Sequence, residues 1–150
     1  MFSSTTYIER RKKLAQSISS GLVLFLGNNE ISRNFGDNVY PFRQDSSFLY
    51  FTGINEPSLA LLVDVDSGEE TLFGDDPTID HIVWSGQIPT VAEKAGRCGV
   101  SRTLPLADLS KKCDEAVKHS RSVHFLPPYR ADNMQMIQRL LGVPADMVQM

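Results

Sequence analysis

A chain of 150 residues with 41% hydrophobic and 22% charged side chains is of ordinary single-domain size and long enough to bury a core. Its 15 basic and 18 acidic residues leave a net charge of -3, which excludes the basic footprint of a duplex-binding protein. The longest apolar runs, residues 22–26 and 59–63, fall far short of a membrane span, and residues 1–6 carry neither the charged nor the apolar segment of a signal peptide. Nucleic acid and membrane are therefore not expected as partners. Cys98 and Cys113 form no CxxC pair and no disulfide framework, which points to the reducing cytoplasm. No repeat or linker-like stretch divides the chain, so residues 1–150 read as one domain.

The Thr6 and Glu9 spacing predicts a capping box at the start of a first helix. Tyr7, Ile8, Leu14, Ala15 and Ile18 form its inward stripe, with Arg10, Lys12 and Lys13 on the wet side, and Ser19-Ser20-Gly21 ends it. Leu22–Leu26 is apolar at every position, as a strand between two helical layers requires, and Gly27-Asn28-Asn29 closes it. A polar stretch with Asn34, Gly36, Asp37 and Asn38 runs as a loop to Pro41. Residues 48–51 read as a strand stopped by Thr52-Gly53. Residues 59–65 predict another strand, turned by Asp66-Ser67-Gly68 into a hairpin partner at Glu70–Phe73. Residues 81–84 read as a short strand ended by Ser85-Gly86, and Pro89 opens a small helix through Ala95. Leu106, Leu109, Cys113 and Val117 share one helical face, and residues 122–126 form a strand stopped by Pro127-Pro128. Asp132 is expected to cap a last helix striped by Met134, Ile137, Leu140 and Leu141, with Gly142 and Pro144 closing it. Strands mixed with helices and one hairpin predict an α/β fold: a mixed β-sheet flanked by helices.

The chemistry-bearing residues form no recognisable catalytic pattern. His81, His119 and His124 have no HxxxH or HExxH spacing and read as structural or solvated. Glu69-Glu70 and Asp75-Asp76 suit turns and loops, since neighbouring strand residues point to opposite faces. No GxSxG elbow or glycine-rich phosphate loop occurs, and Cys113 sits on an apolar helical stripe as a small hydrophobe. Catalytic and metal-ligating residues are therefore expected to be absent. Two features remain. Arg43, Gln44 and Asp45 precede a buried-looking segment; Arg43 and Asp45 can pair with each other or with backbone, and a structural role is favoured over a ligand clamp. Trp84 at the end of its segment reads equally as a core plug or an exposed recognition platform.

The block from Tyr40 through Pro57, with its Pro-Phe-Arg-Gln-Asp-Ser-Ser-Phe-Leu-Tyr-Phe-Thr-Gly core, resembles the N-terminal domain of Xaa-Pro aminopeptidases (aminopeptidase P) of the creatinase/prolidase family. Tyr7-Ile8-Glu9-Arg10-Arg11, Thr71-Leu72-Phe73 and Val83-Trp84-Ser85-Gly86 support it in the right order. The resemblance implies a ribonuclease-H-like mixed sheet that precedes a pita-bread catalytic domain absent from this chain. That domain holds two divalent metals, usually manganese, on two Asp, one His and two Glu, and cleaves the bond before proline. This chain is then expected to bind no metal and, alone, to be inactive. Its partners are its own catalytic domain, further subunits of a homo-oligomer and, through the parent enzyme, proline-containing peptides. It is expected to serve oligomerisation and to restrict access to the active site. Trp84 matches a motif that approaches a neighbouring subunit's active site, which makes it a substrate-side candidate in trans. The residues Val148-Gln149-Met150 are expected to fall slightly short of the family's domain end. A stand-alone binding module of the same fold is the alternative from another class, and a prolidase or creatinase-like parent a weaker third.

Overall fold

The computed structural model describes residues 1–148, without the side chains of His81, Ser85 and Ala145; Gln149 and Met150, and the role expected of the His81 ring, lie outside the described residues. Strands β1 (Leu22–Leu26), β2 (Ala60–Asp64), β3 (Glu70–Phe73), β4 (Arg102–Leu104) and β5 (Val123–His124) form a mixed sheet in the order β4-β3-β2-β1-β5. The predicted hairpin is present: β2 and β3 are antiparallel with Ala60 opposite Phe73, and β1 pairs antiparallel with β2 from Leu22 and Asp64 to Leu26 and Ala60. The outer pairings, β1 with β5 and β3 with β4, are parallel. Among the described residues seven helices accompany the strands: α1 (Ser4–Gln16), α2 (Ser46–Thr52), α3 (Ile79–Ser85), α4 (Val91–Cys98), α5 (Asp108–Lys118), α6 (Ala131–Leu141) and α7 (Ala145–Val148).

Strand alternation divides the apolar side chains between two cores. Val23, Phe25, Leu61, Val63 and Leu72 face Tyr7 of α1, Phe48 of α2 and Val91, Ala95 and Cys98 of α4. Leu22, Leu24, Ala60, Leu62 and Phe73 face Leu109, Cys113 and Ala116 of α5 and Leu140 of α6. This is the α/β layer arrangement expected for a sheet covered on both faces.

Several local expectations are corrected. The first helix begins earlier, with Ser3 in the N-cap position, so Thr6 lies inside the first turn; its hydroxyl meets Ser3 Oγ at 3.2 Å and no capping box forms with Glu9. The complete capping box occurs at Thr90 and Glu93, and α4 extends to Cys98, past Ala95. Residues 48–51 are helical, not extended. Asp45 supplies the reason: one carboxylate oxygen accepts the amide protons of Ser47 and Phe48, each at 2.9 Å, and caps α2. Only Phe48 and Thr52 of this helix are fully buried, a helical spacing that an all-apolar run conceals. Gly53 ends it at φ +70°, where a Cβ would lie 2.1 Å from the Tyr7 hydroxyl, so only glycine fits.

Residues 81–84 are also helical. Within α3, Ile82 N bonds Thr78 O at 3.0 Å and Gly86 N bonds Ile82 O at 2.9 Å, so these backbone groups are satisfied locally. Asp132 does not cap α6; its carboxylate is held by the Arg130 guanidinium at 2.9 and 2.7 Å. Val117 is exposed, and Ala116 takes the inward place on α5.

Candidate functional site

The 43–45 block lies where the chain leaves a long loop and enters α2. Gln44 is buried, and each of its amide atoms is used twice. Its carbonyl oxygen accepts from Asn28 N at 2.7 Å and Asp45 N at 2.9 Å. Its amide nitrogen donates to Glu56 O at 2.7 Å and Ile54 O at 3.3 Å. One side chain thus fastens the end of β1 to both ends of the 43–56 block. Asn28, also buried, extends the network by donating to Arg43 O at 2.9 Å and to the Tyr129 hydroxyl at 3.0 Å. It accepts from Asn133 Nδ2 of α6 at 3.2 Å.

Arg43 and Asp45 do not pair. Asp45 spends its carboxylate on the α2 cap, and the exposed Arg43 side chain makes no ion pair among the described residues. The block therefore brings together backbone segments and contains no nucleophile, acid or base placed for chemistry.

Trp84 projects from α3 at 89% exposure, beside Val83 at 74% and Ile79 at 81%. It makes no ring or ion contact with the 43–45 block among the described residues. A core plug is thereby excluded, and the side chain is presented to the surroundings.

Sequence reasoning passed over Arg11, which is the largest fully buried side chain. Its two terminal nitrogens donate to Phe51 O near the end of α2 at 2.8 Å and to Cys98 O at the end of α4 at 3.0 Å. One of them also pairs with Glu70 of β3 at 2.8 Å. The signal was available in its spacing: residues 7, 11, 14 and 18 fall on one helical face.

His119 places Nδ1 2.7 Å from Glu115 O, and His124 places Nε2 2.9 Å from Ser20 O, so both rings contact backbone. Both cysteines are buried. Burial pushes the Cys98 thiol up, and burial with the nearby Asp114 carboxylate pushes Cys113 to about 11. Among the described residues no group of three or more His, Cys, Asp and Glu side chains is placed to hold a metal ion. No helix among the described residues is long and apolar enough to cross a membrane.

The family model "Aminopeptidase P, N-terminal domain" matches residues 7–124. A "Probable Xaa-Pro aminopeptidase" of Aspergillus terreus is 31% identical over 114 residues, 75% of this chain and 23% of the relative. The Xaa-Pro aminopeptidase of Haemophilus influenzae is 28% identical over 123 residues, 79% of this chain and 28% of the relative. The solved aminopeptidase P of Escherichia coli superposes with a TM-score of 0.76 over 95% of this chain and 33% of that one, at 23% identity, so the fold is shared. In each comparison the chain spans a third or less of the relative's length. With the 7–124 match running from the first helix to the last strand, the chain belongs to the aminopeptidase P N-terminal domain family.

Proposed function

We propose that this chain is the non-catalytic N-terminal part of a cytoplasmic, metal-dependent Xaa-Pro aminopeptidase, serving subunit assembly and access to the active site. The names of the relatives support the parent activity. The observation that carries the role of the domain is α3: Ile79, Val83 and Trp84 are exposed on a short helix, apolar surface that gains by being covered. In this reading Trp84 reaches the active-site mouth of a neighbouring subunit. There its indole packs against peptide residues beyond the scissile bond. The divalent metals, manganese by family resemblance, are held by the catalytic domain and by no residue described here.

The test is Trp84→Ala in the full-length aminopeptidase that carries this domain. Cleavage of longer Xaa-Pro peptides should weaken while metal content and fold are kept. An unchanged peptide-length profile would refute the role of Trp84. Release of N-terminal residues from Xaa-Pro peptides by the purified 150-residue chain would refute the non-catalytic assignment.

A further inference from the structure

The N-terminal segment, α1 and α2 share a face that combines exposed apolar side chains with cations. Phe2, Leu49 and Tyr50 line a hollow of about 560 Å3 there, together with Tyr7 and Arg10. Phe2 is 65% and Tyr50 52% exposed, so bulky apolar surface is left in water. A second hollow of about 470 Å3 adjoins the first, because Arg10 and Tyr50 line both; Lys13, Leu14 and Phe51 extend it along α1.

Arg10 stands between the two hollows and is held in place. Its guanidinium carbon lies 4.0 Å from the Tyr50 ring centroid, 5.1 Å from that of Phe2 and 5.6 Å from that of Tyr7. Nη1 donates to Tyr50 O at 2.7 Å. A guanidinium has further N–H donors, and those of Arg10 meet no acceptor among the described residues. Neither Arg10 nor Lys13 forms an ion pair among the described residues. Among these residues the first hollow is lined by no acidic side chain and the second by Glu9 alone. In a chain of net charge -3, this face is therefore opposite in sign to the molecule as a whole.

We propose that this face docks an acidic peptide segment in which carboxylate side chains flank large apolar ones. An apolar side chain of the partner enters the first hollow and covers Phe2, Leu49 and Tyr50. A neighbouring carboxylate accepts from the free N–H groups of Arg10, and a second approaches Lys13. The stacked guanidinium has little freedom left to lose on binding, which favours this contact. A lone anion forgoes the apolar contact, and an uncharged apolar peptide covers Arg10 without a counter-charge, so both parts are needed. Because the two hollows share Arg10 and Tyr50, the ligand is a run of residues and not a single side chain. Nothing in this site depends on Trp84 or on the parent's peptidase activity.

The test is an amide-shift titration of the 150-residue chain with an acetylated, amidated peptide containing Glu-Glu-Leu-Phe-Glu-Glu. One control peptide replaces every Glu by Gln, and another replaces Leu and Phe by Ser. Saturable shifts are expected at residues 2–13 and 46–55 with the first peptide, and binding at least about tenfold weaker with either control. Raising NaCl from about 50 to about 500 mM should weaken the first peptide severalfold. Arg10→Met should weaken it about tenfold, and Arg10→Lys, which keeps the charge without the planar fork, should recover only part of the loss. Leu49→Ser, at an exposed position, tests the apolar half and serves if Arg10→Met does not fold. Absence of saturable shifts, equal binding of either control, or unchanged affinity in a folded variant would overturn the assignment. So would shifts of the same residues by equimolar phosphatidylserine–phosphatidylcholine vesicles and not by the peptide, or shifts that follow protein concentration alone, as a second copy on this face would give.

Discussion

Arg11→Met replaces a fully buried guanidinium with an apolar side chain of comparable length. The substitution strips donors from Phe51 O and Cys98 O, two carbonyls near the ends of α2 and α4, and leaves Glu70 without its partner. Removing one member of a buried ion pair costs about 3–5 kcal/mol, chiefly through the groups left unpaired. Arg11 Nε lacks a partner among the described residues, so part of the guanidinium's desolvation cost is not offset, which places the loss toward the lower part of that range. Glu70→Gln is the informative comparison. Its side chain is 22% exposed and Arg11 keeps both carbonyls, so that variant should lose only about 1–2 kcal/mol. The assay is urea unfolding followed by far-UV circular dichroism, because the 89% exposed Trp84 is a poor fluorescence reporter of the core. At about 2–4 °C per kcal/mol for a chain of this size, Arg11→Met should lower Tm by roughly 6–20 °C. A loss below about 1 kcal/mol, or equal losses in the two variants, would refute the claim that the helix-end carbonyls depend on Arg11.

Further outcomes follow from the same contacts. Gln44→Glu would set a carboxylate oxygen against Ile54 O and Glu56 O, so its folded pKa should rise; the variant should lie closest to wild type near pH 4 and lose stability as pH rises toward 7, measured by Tm across that range. Asp64 is held below the usual carboxylate range: burial raises its pKa, but the Arg121 hydrogen bond and charge and the Ser67 and Asp66 amides outweigh it. Its contribution is present above the unfolded value and is lost as pH falls through the lower folded one; Asp64→Asn should therefore flatten the acid limb of the wild-type stability profile. The buried, upshifted thiols of Cys98 and Cys113 should resist a disulfide reagent at pH 8 in the folded chain and react on addition of urea. Rapid native-state labelling of either would contradict their burial.

The layered sheet could be read from the chain because β1 to β3 combine apolar composition with an unambiguous turn at 66–68. Residues 48–51 and 81–84 match strand propensity as short runs rich in aromatic and β-branched residues, yet both are helical. For α2 the cause lies outside the run, in the Asp45 cap. The 43–45 segment could be recognised as special, but the division of labour within it could not. Gln44's bonds reach backbone at residues 28, 54 and 56, contacts that no local pattern encodes. Arg11 differs: its place on the face of Tyr7, Leu14 and Ile18 marks it as inward, while its partners at residues 51, 70 and 98 are contacts the local sequence does not encode.

The sheet ends in very short strands, three residues in β4 and two in β5. Beyond β5 the chain runs into Pro127-Pro128, which have no amide protons to offer. A neighbouring chain seeking to extend the ladder therefore finds almost no repeating donors and acceptors on either flank. Backbone zippering, the least selective way for β-proteins to associate, is largely closed to this molecule. Recognition is left to side chains, whose shape and charge discriminate between partners where an open edge would accept nearly any extended peptide.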